Sequence, residues 1–230
     1  MIRDTRRSSA YFEKYIAEEE AGFQKMHYMA LQKADEGNEK AAKRAYTFAS
    51  GLQKNKMIAM YSAGEKLSDV KNAFEKWVGI CDKLIQMPYY DLLSVASLCI
   101  LLKPKEETVN IATRLLSDFS GVDMLIEGFW SYLLGKGFTY TSSVIQFDTD
   151  TKLAQVLMEP DKEKQATKLV SYVSHEWYAA QSDCAWYDSH LKDSDTYFGY
   201  WCFEGAALAV ALSLNTSELL KIEYMPSDLL

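Results

Sequence analysis

Residues 67–85 read LSDVKNAFEKWVGICDKLI, and this stretch decides the fold. Its apolar side chains recur at helical spacing, at positions 67, 70, 74, 77, 78, 81, 84 and 85. Because an α-helix turns once in about 3.6 residues, these positions form one continuous stripe on its surface. A helix with one apolar stripe buries it against other elements. The stretch therefore predicts an amphipathic helix with Trp77 on its buried face.

The same period recurs on both sides of this stretch. It predicts further helices over about 12–34, 45–63, 89–102, 105–116, 122–134, 151–158, 161–177 and 200–214. The face assigned to the core includes Phe48 in the second of these, Val122 and Leu134 in the fifth, and Trp177 in the seventh. Glycines and prolines stand at several ends, where helices begin or stop most easily. The candidate N-caps of the helix ending near residue 158 are Thr149 and Asp150.

Residues 138–147 are the ambiguous part of the chain. Their β-branched side chains would suit a short strand, but no second strand of similar quality accompanies them, so we interpret them as helical. The chain has four prolines and eleven glycines in 230 residues, about half the average usage, which favours long helices. The expected fold is all-α, a multi-helix antiparallel bundle of about nine helices in two packed halves.

The charge is distributed unevenly along the chain. Residues 1–115 carry 18 basic and 15 acidic side chains, which leaves +3, whereas residues 116–230 carry 7 and 17, which leaves −10. The change coincides with a plausible boundary near residues 117–121. We therefore expect an N-terminal helical region over 1–117 and an acidic C-terminal helical domain over 118–230.

The acidic half narrows the class of partner. It would repel a phosphate backbone, so nucleic acid is not expected as a ligand. It would attract a basic protein and speed their encounter, although a surface that only improves solubility explains the charge equally well. The apolar runs are about ten residues long, too short to span a bilayer.

The expected compartment is the cytoplasm. No apolar stretch follows the basic N-terminus, as a signal peptide would require. The four cysteines have no paired spacing and indicate a reducing compartment: Cys81, Cys99, Cys184 and Cys202. Common catalytic motifs are missing, and three histidines without paired cysteines do not suit a structural zinc site. We therefore expect no metal, no cofactor and no catalytic residue.

One alternative places a nucleophile in the C-terminal half. Cys184, Asp188 and His190 are close in sequence, so a Cys–His–Asp site can be drawn, but no oxyanion-stabilising element can be named for it. The simpler interpretation is that these polar groups serve the aromatic side chains crowded around them, because buried Tyr and Trp need hydrogen-bond partners.

Glu204 lies in an otherwise apolar predicted helix. A buried carboxylate must be paired or neutral, so the first interpretation is a structural hydrogen bond to a neighbouring Tyr or Trp. Contact with a partner is the second. A third possibility is an enzyme or small-ligand binder with an aromatic pocket formed by Trp186, Tyr200, Trp201 and Glu204.

Both ends of the chain resemble a known family. At the N-terminus the resemblance rests on Arg3-Asp4, YFEKYI at 11–16 and the acidic run at 18–20. More specific motifs follow: EWY at 176–178, AWYDSH at 185–190, YFGYWCFEGAA at 197–207 and YMPSDL at 224–229. These resemble the PoNi-type immunity proteins, the antidotes paired with PoNe polymorphic-toxin DNases. Cys202 and Gly205 depart from the Ser and Ala expected there, and Asn215-Thr216 replaces an acidic turn.

The resemblance implies an all-helical protein, not an enzyme, that binds a cognate nuclease toxin and blocks it without a cofactor. Such toxins are delivered by contact-dependent systems, often type VI secretion. The motif residues expected to be structural are Trp186, Tyr187, His190, Gly199, Tyr200 and Trp201.

The leading hypothesis is therefore an immunity protein that docks its toxin on the acidic half. The candidate contacts are Asp183, Asp188, Asp193, Asp195 and Glu204. The rival hypotheses are the enzyme or small-ligand binder with the aromatic pocket, and a helical scaffold in a larger assembly. The sequence leaves the oligomeric state and the identity of the toxin open.

Overall fold

A computed structural model describes residues 2–84, 86–146 and 151–230. These residues form nine α-helices and no β-strand, so the all-α prediction is confirmed. The helices are α1 (Ser9–Asp35), α2 (Glu39–Ala63), α3 (Leu67–Cys81), α4 (Tyr89–Leu102), α5 (Glu106–Leu116), α6 (Met124–Leu133), α7 (Thr151–Leu157), α8 (Lys162–Ser171) and α9 (Phe203–Ala211).

The chain divides into two compact units. The first, here the N-terminal unit, comprises Met1–Met87 and Asp188–Gly199. The second, the C-terminal unit, comprises Pro88–Tyr187 and Tyr200–Leu230. The division at residues 117 and 118 expected from charge stays a prediction.

In the N-terminal unit, α1 and α2 form a hairpin with α3 packed against it. Gly37 takes a left-handed φ of +73° in the turn, and the Asn38 side chain accepts the Ala41 N–H at 3.2 Å to cap α2. Trp77 of α3 is fully buried, and its Nε1 donates to Ser50 Oγ at 2.9 Å. The stripe residues Val70, Phe74, Val78 and Cys81 are buried with Trp77 as predicted. Ile85 lies outside the described residues, and α3 ends at Cys81, about one turn early.

In the C-terminal unit, α4 is the central helix. Its sequence is apolar on nearly every side, and α5, α6 and α9 all pack against it. The predicted caps Thr149 and Asp150 of α7 lie outside the described residues. Asp161 caps α8 by accepting the N–H groups of Glu163 and Lys164, both at 3.0 Å.

The helix predicted over residues 138–147 is wrong for the described residues 138–146, which are irregular. Two buried carboxylates of the α6 region take up the backbone N–H groups that a helix would use internally. Glu127 accepts the N–H groups of Thr141 and Ser142 at 2.9 and 3.1 Å. Asp123 accepts the Gln146 N–H at 2.8 Å. The segment is therefore an irregular strap held against α6.

Two predicted helices are shorter in the structure. The one over 161–177 stops at Ser171 and continues as a π-helical turn, Tyr172–Glu176. The one over 200–214 is reduced to α9, Phe203–Ala211. It begins late because the Cys202 N–H donates to the Tyr224 carbonyl at 2.8 Å, and it ends shortly before Ser213, which has a left-handed φ of +53°. Three side chains assigned to the core are exposed: Phe48 at 68%, Val122 at 42% and Leu134 at 42%.

Candidate functional site

Six aromatic side chains pack together in the C-terminal unit. We call them the aromatic cluster: Trp177, Tyr178, Trp186, Tyr187, Tyr200 and Tyr224. Their ring centroids lie between 4.6 Å, for Tyr178 and Tyr187, and 6.3 Å, for Trp177 and Trp186. Rings at these distances contact one another directly, which supports a structural role for the motif residues.

The π-helical turn after α8 positions Trp177. Its backbone N–H donates to the Tyr172 carbonyl at 2.8 Å, five residues back, which rotates the indole relative to a regular helix. The indole is 4% exposed, and its Nε1 donates to a carboxylate oxygen of Glu204 at the start of α9. The hydrogen bond from a neighbouring Trp to Glu204, the first interpretation of this residue, is confirmed.

Burial raises the pKa of the Glu204 carboxyl above its ordinary value. The hydrogen bonds from Trp177 and from Cys202 Sγ, the latter at 3.5 Å, act in the opposite direction because they stabilise the carboxylate. Glu204 is thus a half-buried acid engaged with its own unit. Its second interpretation, contact with a partner, stays a prediction.

The residues at positions 202 and 205 restrict each other sterically. A Cβ added at Gly205 would lie 2.8 Å from Cys202 Sγ and 3.2 Å from Val173 Cγ2, both closer than ordinary contacts. Sulfur is larger than the hydroxyl oxygen of Ser. The absence of a Cβ at Gly205 therefore leaves room for the sulfur of Cys202, where the resemblance led us to expect Ala and Ser.

The candidate acidic contacts do not form one patch within a single unit. Asp183 is exposed in the C-terminal unit, whereas Asp188, Asp193 and Asp195 belong to the N-terminal unit. Asp195 forms an ion pair with Lys14 Nζ at 2.5 Å. Asp188 is half-buried and adopts a left-handed φ of +54°, and Asp193 is exposed.

The segment Asp188–Gly199 is anchored to the start of the chain. The Tyr11 hydroxyl donates to the Tyr197 carbonyl at 3.0 Å, and the Tyr197 N–H donates to the same hydroxyl at 2.9 Å. The Tyr197 hydroxyl also donates to the buried Asp4 carboxylate. Sequence reasoning missed these contacts, because the partners are up to 193 positions apart and no local pattern links them.

The structural role of the other motif residues stays a prediction, and the structure places them as follows. His190 packs its ring against Tyr197, with centroids 5.9 Å apart. Gly199 adopts a φ of +118°, which residues with a Cβ rarely reach. Trp201 is half-buried. Cys184 donates its thiol proton to Gln181 Oε1 at 3.3 Å and belongs to a different unit from His190.

These features define an all-helical protein with a packed aromatic cluster in its C-terminal unit. A family model for the N-terminal part of PoNe immunity proteins (PoNi) matches residues 3–113, and one for their C-terminal part matches residues 121–229. The chain therefore belongs to the PoNi family of immunity proteins, which excludes the enzyme alternative. No curated protein and no solved structure matches it. Within the described ranges, no helix is long and apolar enough to cross a membrane.

Proposed function

We propose that this protein binds a cognate nuclease toxin of the PoNe type and blocks it by direct association, thereby protecting the cell that makes both. The observation that carries the proposal is the match of both PoNi family models, one to each part of the chain. Inhibition by association needs only a complementary surface. The protein would act in the cytoplasm, against a toxin delivered by a contact-dependent system such as type VI secretion.

Charge supports the acidic half as the docking surface. Residues 116–230 carry a net charge of −10, and a nuclease is basic where it holds DNA. Opposite charges speed the encounter and align the partners before close contact. The proposed docking residues include Asp183, Asp193 and Asp195, whose side chains are exposed.

Two further candidate contacts, Asp188 and Glu204, are less accessible than these three aspartates. Asp188 is half-buried, and Glu204 already accepts hydrogen bonds from its own unit. We therefore propose that Asp183 and Asp193 contribute more to the encounter than Glu204 does. We also propose the two-domain division, 1–117 and 118–230, which follows the charge along the sequence, whereas the structure groups Asp193 and Asp195 with the N-terminal unit.

Co-expression tests the function directly. A candidate PoNe-type nuclease would be expressed in a sensitive host together with this protein or with an empty vector, and an inactive variant of the nuclease would be expressed as a control. We expect survival with this protein and with the inactive nuclease, and cell death with the empty vector. Purified protein should also abolish DNA cleavage at a stoichiometry close to one to one. Death in the presence of well-expressed protein would refute the proposal.

A further inference from the structure

A groove opens at the tip of the α1–α2 hairpin, entirely within the N-terminal unit. It has a volume of about 550 Å³, enough for more than one large side chain. Five apolar residues line it: Met26, Met29, Ala41, Ala45 and Phe48. Phe48 is 68% exposed and Met29 is 38% exposed.

The exposure of Phe48 is informative because the α1–α2 hairpin already has a packed core without it. Elsewhere on the hairpin, Phe23 and Ala49 are fully buried and pack with Ile80 of α3. Phe48 therefore is not needed to close the core, yet it places an aromatic ring at a concave apolar site. Met side chains are flexible and polarisable, which suits a groove that adapts to an inserted side chain. Concave apolar sites between two helices are a common docking surface for a third amphipathic helix.

The rim of the groove has the opposite charge from the acidic half of the chain. Lys40 and Arg44 stand one turn apart on α2, both line the groove, and both are exposed. Nearby lysines are already paired on the same hairpin: Lys33 with Glu36 at 2.6 Å and Lys43 with Glu39 at 3.6 Å. Among the residues that the structure describes, no ion pair involves Lys40 or Arg44. The groove thus presents two cations beside an apolar floor.

We infer that this groove docks an amphipathic helix of the protein partner, with its apolar face against Phe48 and the two methionines and with acidic residues beside Lys40 and Arg44. The inference rests on the proposed function in taking the cognate nuclease toxin as that partner. It adds a second, basic-rimmed contact surface to the acidic one. An inhibitor with two surfaces of opposite charge would select a toxin that carries both complementary features.

The test measures the affinity of the full-length protein for an inactive nuclease variant by titration calorimetry. Phe48→Asp places a charge on the apolar floor and should weaken binding by about 30-fold or more, the scale of an interface hot spot. Arg44→Glu should weaken it by about tenfold. Tyr28→Asp is the matched control, because Tyr28 is an aromatic residue of α1, 69% exposed, that does not line the groove. It should change the affinity by less than about twofold.

The outcomes of this titration separate the groove inference from the proposed function. If the unaltered protein binds the nuclease and Phe48→Asp binds it equally well, the groove inference is refuted and the proposed function stands. If the unaltered protein does not bind the nuclease, both are refuted. If sedimentation shows a dimer of the protein that Phe48→Asp converts to a monomer, the groove holds a second copy and the inference is overturned. Circular dichroism and thermal unfolding would verify that each variant is folded.

A pair of synthetic helices tests the charge of the occupant separately. One peptide of about 18 residues carries leucines on one face and glutamates beside them, and its twin carries lysines in place of the glutamates. Fluorescence anisotropy should show the glutamate peptide binding at least about tenfold more tightly, with the difference lost in Arg44→Glu. Equal affinity, or preference for the lysine peptide, would contradict the inference.

Discussion

Trp177 and Phe48 occupy equivalent positions in the sequence pattern but opposite environments in the structure. Both are large aromatic residues on helix faces assigned to the core. Trp177 is 4% exposed, is surrounded by other rings and donates to Glu204. Phe48 is 68% exposed and lines an open groove. The comparison shows that periodicity identifies an apolar face, whereas only the number of neighbouring elements decides whether that face is covered.

The sharpest test of this contrast replaces each ring by Ala. Trp177→Ala removes a buried indole and the hydrogen bond that its Nε1 donates to the Glu204 carboxylate, so it should destabilise the protein by about 3–5 kcal/mol. Phe48→Ala should change stability by less than about 0.5 kcal/mol. Urea denaturation followed by fluorescence and circular dichroism would measure both. Similar losses for the two variants would mean that the exposed face of α2 contributes to the core after all.

The second prediction probes the packing beneath Glu204. Gly205→Ala forces a Cβ to within 2.8 Å of Cys202 Sγ and should cost about 1–3 kcal/mol of stability. Adding Cys202→Ser, which replaces sulfur by the smaller oxygen, should recover much of that loss. The Cys202→Ser variant alone is the control for this double-mutant cycle. Purely additive free energies of unfolding would show that the two positions do not compensate each other.

The third prediction concerns pH. Because the pKa of Glu204 is raised above its ordinary value of 4.5, the folded state binds this proton more tightly than the unfolded state does. Glu204 therefore makes stability fall as pH rises from about 4.5 through its raised pKa. Glu204→Gln keeps an acceptor for Trp177 and removes that dependence. We expect it to be more stable than the unaltered protein at neutral pH, with little difference at pH 4.

The same variant separates the two roles considered for Glu204. If the residue is structural, Glu204→Gln changes the pH profile of stability and leaves the affinity for the nuclease unchanged. A loss of affinity without any change in the profile would favour the contact role instead. Thermal unfolding across pH 4–8, together with calorimetric titration of the nuclease, would distinguish them.

The predictions from the sequence were correct for features that depend on residues close together in the chain. Helical spacing identified the stripe around Trp77, and Asp161 was correctly expected at the start of α8. It failed at residues 138–146 because the acceptors that hold this strap, Glu127 and Asp123, lie 14–23 positions earlier in the chain. An unpaired buried carboxylate must find a donor, so the hydrogen bond of Glu204 was predictable, but the identity of the donor depended on the π-helical turn before Trp177.

The groove was not predictable on the same grounds. The face of α2 that includes Phe48 has the period of a buried face, and nothing local distinguishes a covered residue from an exposed one. Only the arrangement of α1, α2 and α3 shows that Phe23 and Ala49 meet Ile80 while Phe48 stays outside that cluster.

The smallest expected effect tests the acidic surface that complements the groove. Replacing Asp183 and Asp193 together by Asn should slow association with the nuclease by about two- to threefold at low salt, since exposed charges act mainly on the encounter rate. The dissociation rate should stay nearly constant. Stopped-flow fluorescence would show the difference disappearing near 0.5 M salt, where screening confines such interactions to about 4 Å.

Glu13→Gln, at an exposed acid of α1 outside the acidic half, is the control and should leave the rate unchanged. A rate that is independent of salt in the unaltered protein would remove electrostatic steering and leave the groove as the main source of recognition.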